Sequence, residues 1–212
     1  MSEKGIKKVR AMTITYMVGD GLYVNVTNRC TNRCDFCIRN NADGAYGSDS
    51  LWLEREPTEA EILDSVFSHN LDSIPEIVFC GYGEPSIRLD TVRRVALAIK
   101  SEYPKIHIRI NTNGQSDLIL KCDSAPMYKD AFDTVSISLN APSPERYQEI
   151  CHSVYGDGAL EAVITFAKNV NKYVQNTVFS VVKESLTAEE IEKCYQISAE
   201  CGVKLRVRDL IT

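Results

Sequence analysis

Apolar and polar residues alternate near the start of the chain and predict a β-hairpin. Residues 13–17 and 22–27 alternate on either side of Gly19-Asp20-Gly21, a sequence that suits a tight turn. Short apolar stretches farther along predict strands at 76–80, 106–111, 133–139, 177–182 and 203–208.

Helical patterns fill the intervals between these strands. Thr58 and Glu61 have the spacing of a capping box and predict a helix to about Asn70, and Thr187 with Glu190 predicts one to about Cys201, capped by Gly202. The other helices are predicted from Asp90 as N-cap to Tyr103, weakly over 115–130, from Ser143-Pro144 to the glycines at 156 and 158, and over 159–173.

The order of the elements predicts an α/β fold. From residue 22 onward, six strands alternate with helices, which implies right-handed crossovers and a parallel sheet. Because six units fall short of the eight of a full barrel, both a partial barrel and a doubly wound sheet fit. In either architecture the functional residues lie at the carboxyl ends of the strands.

Composition narrows the class of protein. The chain has 212 residues, 44% apolar and 25% charged, with a net charge of −5, which predicts one folded domain over 1–212 and disfavours general binding to duplex DNA. No stretch is long and apolar enough for a membrane span or a secretory signal, so we expect a cytoplasmic protein. Residues 1–11 match no part of the pattern, and we expect them to be disordered.

Cysteine is unusually frequent, with eight in the chain, and three are clustered. Cys30, Cys34 and Cys37 lie in a long polar loop, residues 28–56, where three reduced thiols could converge on one metal centre. All-thiolate ligation favours iron–sulfur, with zinc completed by a distant ligand as an alternative. We interpret the other five, Cys80, Cys122, Cys151, Cys194 and Cys201, as ordinary core or helix-face residues.

The cysteine spacing CxxxCxxC, with Phe36 before the third cysteine, resembles the radical S-adenosylmethionine (SAM) superfamily. Further motifs of this superfamily follow in order on the expected strands. Together with the cysteine motif they extend the resemblance over about residues 20–212. They are Gly81-Tyr82-Gly83-Glu84-Pro85, Thr112-Asn113-Gly114, Ser138-Leu139-Asn140, Ser180-Val181-Val182-Lys183 and Asp209-Leu210-Ile211.

This resemblance implies a partial (β/α)6 TIM-type barrel that begins with the N-terminal β-hairpin. It also implies a 4Fe-4S cluster and SAM as cofactors, a flavodoxin- or ferredoxin-type electron donor, and a 5′-deoxyadenosyl radical that abstracts hydrogen from the substrate. The implied cluster ligands are Cys30, Cys34 and Cys37. The implied SAM-binding residues are Phe36, Gly81, Gly83, Glu84, Pro85, Asn113, Ser138, Asn140 and Ile211.

Gly81 and Gly83 would let the backbone approach the methionyl ammonium of SAM closely. Glu84 would accept a hydrogen bond from that ammonium or brace the loop. Ser138 and Asn140 would contact ribose, and the segment ending at Ile211 would pack against adenine.

The resemblance is closer still to the small TatD-associated radical SAM branch, which leaves the substrate undefined and open to macromolecules. The alternatives are a glycyl-radical-enzyme activase and a non-catalytic iron–sulfur or SAM-binding protein. Arg206 and Arg208 could face an anionic substrate or form a solvated, ion-paired face. Trp52 and Tyr46 could stack on a ring, but packing of the loop is favoured.

Overall fold

The computed structural model describes residues 9–210. The strands are β1 (Thr15–Val18), β2 (Gly21–Val24), β3 (Glu76–Phe79), β4 (His107–Thr112), β5 (Thr134–Ser138), β6 (Asn176–Val182) and β7 (Lys204–Arg208). The α-helices are α1 (Glu59–Phe67), α2 (Leu89–Glu102), α3 (Ser116–Leu120), α4 (Pro144–Cys151), α5 (Gly158–Val170) and α6 (Ala188–Cys201).

The strands form one sheet of seven in the order of the sequence, β1 to β7. β1 and β2 form the predicted hairpin, with Val18 opposite Gly21, and β2 to β7 are parallel throughout. This order, with crossover helices between successive parallel strands, is that of a partial barrel rather than a doubly wound sheet, whose strand order reverses at a switch point. The α/β partial-barrel prediction is therefore confirmed.

Local side-chain chemistry explains where three of the helices begin. Both capping boxes are formed, with Thr58 accepting from Glu61 N–H and Thr187 from Glu190 N–H, and the hydroxyl of Ser143 caps α4. The prediction of Asp90 as an N-cap is wrong, because α2 begins one residue earlier and Asp90 lies in its first turn. There the preceding 3-10 helix, Pro85–Arg88, leads directly into α2.

The predicted weak helix over 115–130 is divided. α3 ends where Lys121 adopts a left-handed conformation with φ of 57°, and a separate 3-10 helix covers Ala125–Tyr128. Pro126 at the start of this second turn cannot continue a hydrogen-bonded helix from before it.

The main hydrophobic core lies between the sheet and its helices. Along β4 the side chains of Ile108 and Ile110 are buried in this core, whereas Arg109 and Asn111 alternate with them and line a cavity on the other face. None of the helices formed by residues 9–210 combines the length and apolarity needed to cross a bilayer.

The long segment between β2 and α1 is held against the barrel. A second apolar cluster joins Tyr16, Ala45, Leu51 and Tyr82. The Trp52 ring packs edge-on against the Tyr82 ring, with 5.1 Å between the ring centroids. The favoured packing role thus holds for Trp52, whereas Tyr46 is 49% exposed. Of the segment 1–11, residues 1–8 lie outside the described part, and Ala11 pairs with Leu53 by a parallel β-bridge.

Candidate active site

A cavity of about 480 Å³ opens at the carboxyl ends of the parallel strands. It gathers residues that lie far apart in the sequence, from the loop after β2 to the end of β7. Its lining includes all three clustered cysteines and, among the other residues that the sequence singled out, Phe36, Gly81, Gly83, Glu84, Asn113, Ser138 and Asn140.

The three thiols are half-buried in this cavity wall. Burial raises the pKa of Cys30 to about 12 and also raises the pKa of Cys37. A hydrogen bond with the Cys151 thiol, followed by burial, raises the pKa of Cys34. The nearby guanidinium of Arg39 acts in the opposite direction on all three thiols. Its effect is outweighed by burial and, at Cys34, also by the hydrogen bond with Cys151. This environment favours the neutral thiols, and a bound metal would have to displace their protons.

Among residues 9–210 no three His, Cys, Asp or Glu side chains converge as a single metal ion would require. A four-iron cluster binds its thiolates through different irons, so its ligands need to share only one wall of a cavity. Three thiols on one wall, half-buried and from one loop, fit such a group by the chemistry of the donor set.

A buried polar network anchors the cysteine loop, the segment 28–56 that carries Cys30, Cys34 and Cys37. Asn32, between the first two cysteines, donates through Nδ2 to the Tyr147 hydroxyl at 3.1 Å. Gln115 donates through Nε2 to the same hydroxyl at 3.0 Å and to Asn32 Oδ1 at 2.9 Å. The loop backbone also bonds to the end of α4, where Arg33 N–H donates to Cys151 O at 2.9 Å. These contacts join the loop to α4 and to the segment between β4 and α3.

Two glycines let the loop after β3 approach the end of β2 and the start of the cysteine loop. A Cβ atom at Gly81 would lie 2.6 Å from Asn25 Cγ, and one at Gly83 would lie 2.6 Å from the backbone oxygen of Arg29. Neither space admits a side chain without movement of its neighbours. The glycines therefore permit contact between two segments of the protein, in addition to any approach to a ligand.

Glu84 is buried and bonded on both carboxylate oxygens. Oε1 accepts from Ser86 N–H at 3.0 Å and from the Thr112 hydroxyl at 2.7 Å, and Oε2 accepts from Asn113 N–H at 2.7 Å. Burial raises the pKa of Glu84, and these hydrogen bonds act in the opposite direction. Of the two implied roles, the contacts support bracing of the loop.

Asn113 and Asn140 are also held by their neighbours. Asn113 donates through Nδ2 to Thr31 Oγ1 at 2.8 Å and accepts from Gln115 N–H at 3.0 Å. Asn140 has a positive φ of 61° and donates to Cys151 Sγ at 3.4 Å. Its Oδ1 is buried and has no hydrogen-bond partner within residues 9–210. That unsatisfied acceptor, beside the cavity, suits a ligand hydroxyl.

Of the two remaining implied cofactor residues, one does not line the cavity and the other lies outside the described residues. Pro85 is buried at the start of a 3-10 helix and does not line it. Ile211 lies outside the described residues.

The interpretation of the five remaining cysteines as core or helix-face residues holds for Cys151, Cys194 and Cys201, which all lie in the hydrophobic core. Cys194 and Cys201 are buried on one face of α6, as predicted. Cys80 lines the cavity, Cys122 is exposed, and the buried Cys151 thiol contacts Cys34. Tertiary contact between α4 and the cysteine loop brings Cys151 there, which its sequence spacing does not reveal.

Sequence reasoning missed several cavity residues, notably Tyr16, Tyr23, Arg109, Asn111 and Ser136. The guanidinium of Arg109 forms an ion pair with Glu76 at 2.7 Å and donates to the Tyr23 hydroxyl at 3.3 Å. A signal was present, because polar residues alternate with isoleucines along β4, a strand covered by helices on its outer face. Such alternation predicts a polar barrel interior.

Comparison with known proteins identifies the family. The sequence profile of the Radical SAM superfamily matches residues 24–197, which is most of the chain. The protein therefore belongs to the Radical SAM superfamily, whose members bind a 4Fe-4S cluster and SAM.

Curated relatives share the family at moderate identity. GTP 3′,8-cyclase of Staphylococcus carnosus (strain TM300) is 29% identical over 190 residues, covering 87% of this chain and 52% of that protein. A probable GTP 3′,8-cyclase of Thermococcus kodakarensis is 28% identical over 190 residues, covering 89% of this chain and 56% of that protein. The chain thus spans about half the length of these relatives.

Solved structures share the fold. A radical SAM methyltransferase from Sphaerobacter thermophilus superposes with a TM-score of 0.60 at 16% identity, covering 92% of this chain and 68% of the other. Streptococcus suis SuiB bound to S-adenosylmethionine superposes with a TM-score of 0.63 at 17% identity, covering 89% of this chain and 40% of the other.

Proposed function

We propose that this protein is a radical SAM enzyme that cleaves SAM reductively and uses the resulting radical to abstract a hydrogen atom from its substrate. One observation carries the proposal: the three clustered thiols and the glycine-rich loop after β3 line the same cavity. Membership of the superfamily supports the same chemistry.

In this proposal Cys30, Cys34 and Cys37 hold the 4Fe-4S cluster and leave one iron open to SAM. When bound, the cluster supplies the electron for SAM cleavage, which is chemistry that no side chain of the protein provides. The protein positions the cofactor and limits the access of water.

The proposed SAM contacts follow from placement in the cavity. Gly81 and Gly83 present backbone without side-chain bulk, and Ser138 and the free Oδ1 of Asn140 offer partners for ribose hydroxyls. Phe36 contributes an apolar wall beside the cysteines. Glu84 and Asn113 are positioning residues, because their hydrogen bonds hold the two loops that carry these contacts.

An electron donor of flavodoxin or ferredoxin type is the expected redox partner, in a compartment such as the cytoplasm that keeps the thiols reduced. Membership of the superfamily does not define the substrate, since similar proteins include GTP 3′,8-cyclases, a methyltransferase and SuiB, which is known with a precursor peptide. Resemblance to the TatD-associated branch leaves that substrate undefined.

Anaerobic reconstitution with iron and sulfide tests the proposal. The reconstituted protein should be brown, absorb near about 400 nm from thiolate-to-iron charge transfer, and release 5′-deoxyadenosine from SAM after reduction. Cys34→Ala should lose both the cluster and the cleavage. Cys194→Ala removes a thiol from the buried face of α6 and should keep both.

Three results would contradict the proposal. A colourless protein that retains zinc after anaerobic preparation would indicate a zinc module. A brown protein that binds SAM without releasing 5′-deoxyadenosine would indicate a non-catalytic iron–sulfur protein. Full cleavage by Cys34→Ala would refute the ligand assignment.

A further inference from the structure

We propose that Arg206 and Arg208 on β7 bind an oxyanion group of the substrate, a carboxylate or a phosphate, within the cavity. The inference rests on the proposed function, because it places this substrate group in the cavity assigned to the cofactors.

The two arginines lie two residues apart on β7, so both side chains point to the same face of the strand and line the cavity. Arg206 is exposed and therefore reachable by a ligand, and its Nη2 donates only a long hydrogen bond, 3.4 Å, to Ser136 Oγ. Planar guanidinium groups bind carboxylate and phosphate oxygens through paired N–H donors.

Neither arginine is neutralised by a carboxylate of the described residues. No ion pair of Arg206 or Arg208 is found within residues 9–210, whereas Arg109 pairs with Glu76 at 2.7 Å. The carboxylates that line the cavity are those of Glu84, which is occupied by three hydrogen bonds, and of Asp209, which forms no ion pair there.

Repulsion among these guanidinium groups also favours the binding of an anion. Partial desolvation in the cavity, and after it the positive charges of Arg109 and Arg208, lower the pKa of Arg206. A bound oxyanion would offset this repulsion, which makes the arrangement favourable for an anionic ligand and unfavourable for a cationic one.

Placement along the strands separates the Arg206 guanidinium from the proposed SAM contacts. Ser136, which Arg206 reaches, lies one inward-facing position before Ser138 on β5 and is therefore deeper in the barrel. Arg109 likewise precedes Asn113, the proposed positioning residue at the end of β4. An oxyanion held by Arg206 would therefore lie below the layer of residues at the carboxyl ends, and Arg208, the last residue of β7, would contact it from the cofactor side.

Binding of small anions to the reconstituted protein, measured by anaerobic calorimetry with saturating SAM, tests the inference. Pyrophosphate and succinate are the two probes, and preference for one identifies phosphate or carboxylate as the group. At least one should bind, and Arg206→Gln should weaken its affinity by about tenfold, as expected for loss of a charge-assisted hydrogen-bond pair. Arg206→Lys keeps the positive charge but lacks the paired N–H donors of a guanidinium. Its affinity for the probe should lie between those of the wild type and Arg206→Gln.

Arg94→Gln is the matched control. It removes one positive charge from α2, where Arg94 pairs with Glu59 at 2.7 Å, and should leave probe affinity within about twofold because it lies outside the cavity. Equal weakening by both variants would indicate general electrostatic attraction and overturn the inference. Absence of binding by both probes would also overturn it.

Two further outcomes separate this inference from the proposed function. If SAM displaces the bound probe, the arginines serve the cofactor and the inference is wrong, although SAM cleavage would stand. If the probe binds through Arg206 but the same preparation releases no 5′-deoxyadenosine, the anion site stands and the proposed function fails.

Discussion

The carboxylate of Glu84 accepts a hydrogen bond of 2.7 Å from the backbone N–H of Asn113. This bond joins the loop after β3 to the end of β4, two segments that each carry one of the family-like motifs. Because Glu84 is 4% exposed, the bond is shielded from water and from competing partners. The relative position of the two loops therefore depends on one acidic side chain.

Replacement of Glu84 by glutamine should destabilise the protein. Each carboxylate oxygen accepts from a backbone N–H, so the amide NH2 must face a donor in either orientation. We expect the free energy of unfolding to fall by about 1–3 kcal/mol, measured by urea denaturation. Glu102→Gln, at the exposed end of α2, is the control and should change it by less than about 0.5 kcal/mol. Equal stability of Glu84→Gln and the wild type would contradict the bracing role.

Alanine at Gly81 should disrupt the contact between the loop after β3 and the end of β2. Its Cβ would meet the side chain of Asn25, which is itself held by a hydrogen bond of 2.8 Å from Nδ2 to Leu51 O. We expect a loss of about 1–3 kcal/mol in unfolding free energy, the usual cost of overpacking.

Gly158→Ala is the matched control for that substitution. Gly158 begins α5 with open space around its Cα and without a positive φ, so alanine should be neutral or slightly stabilising. The steric argument fails if the two alanine variants unfold at the same denaturant concentration.

Tyr147→Phe should loosen the cysteine loop. Its hydroxyl accepts from Asn32 at 3.1 Å and from Gln115 at 3.0 Å, and its removal leaves these buried amide donors short of an acceptor. We expect a loss of about 1–3 kcal/mol and faster amide hydrogen exchange around Asn32. Tyr195→Phe, at a side chain 45% exposed, should have neither effect. Unchanged exchange in the cysteine loop of Tyr147→Phe would count against the anchoring role.

The capping box of α1 should make stability depend on pH. Hydrogen bonds from Arg55 and Thr58 lower the pKa of Glu61 from 4.5 to about 2. Because the folded pKa lies below the unfolded value, Glu61 stabilises the fold above about pH 4.5, and this contribution is lost as the pH falls from 4.5 toward 2. Urea midpoints should therefore be lower for Glu61→Gln than for the wild type at pH 7 and converge below pH 4.5. A difference that stays constant between pH 7 and pH 3 would contradict this assignment.

Much of the fold was predictable because its signals are local. Thr58 with Glu61, and Thr187 with Glu190, define helix starts through contacts only three residues apart. The alternation of strands and helices then leaves few parallel topologies. The start of α2 was misplaced because the preceding 3-10 helix runs into it, which makes Asp90 an internal residue despite its favourable cap chemistry.

Spacing within short segments of the chain encodes the order of the β/α units, the three clustered cysteines and the loops that accompany them. The folded structure was needed to show that Glu84 bonds Asn113, that Cys151 lies beside Cys34, and that Arg206 reaches Ser136. These pairs join residues on different elements, and their distances depend on the closure of the sheet rather than on sequence separation. The shape and charge of the cavity arise from those contacts.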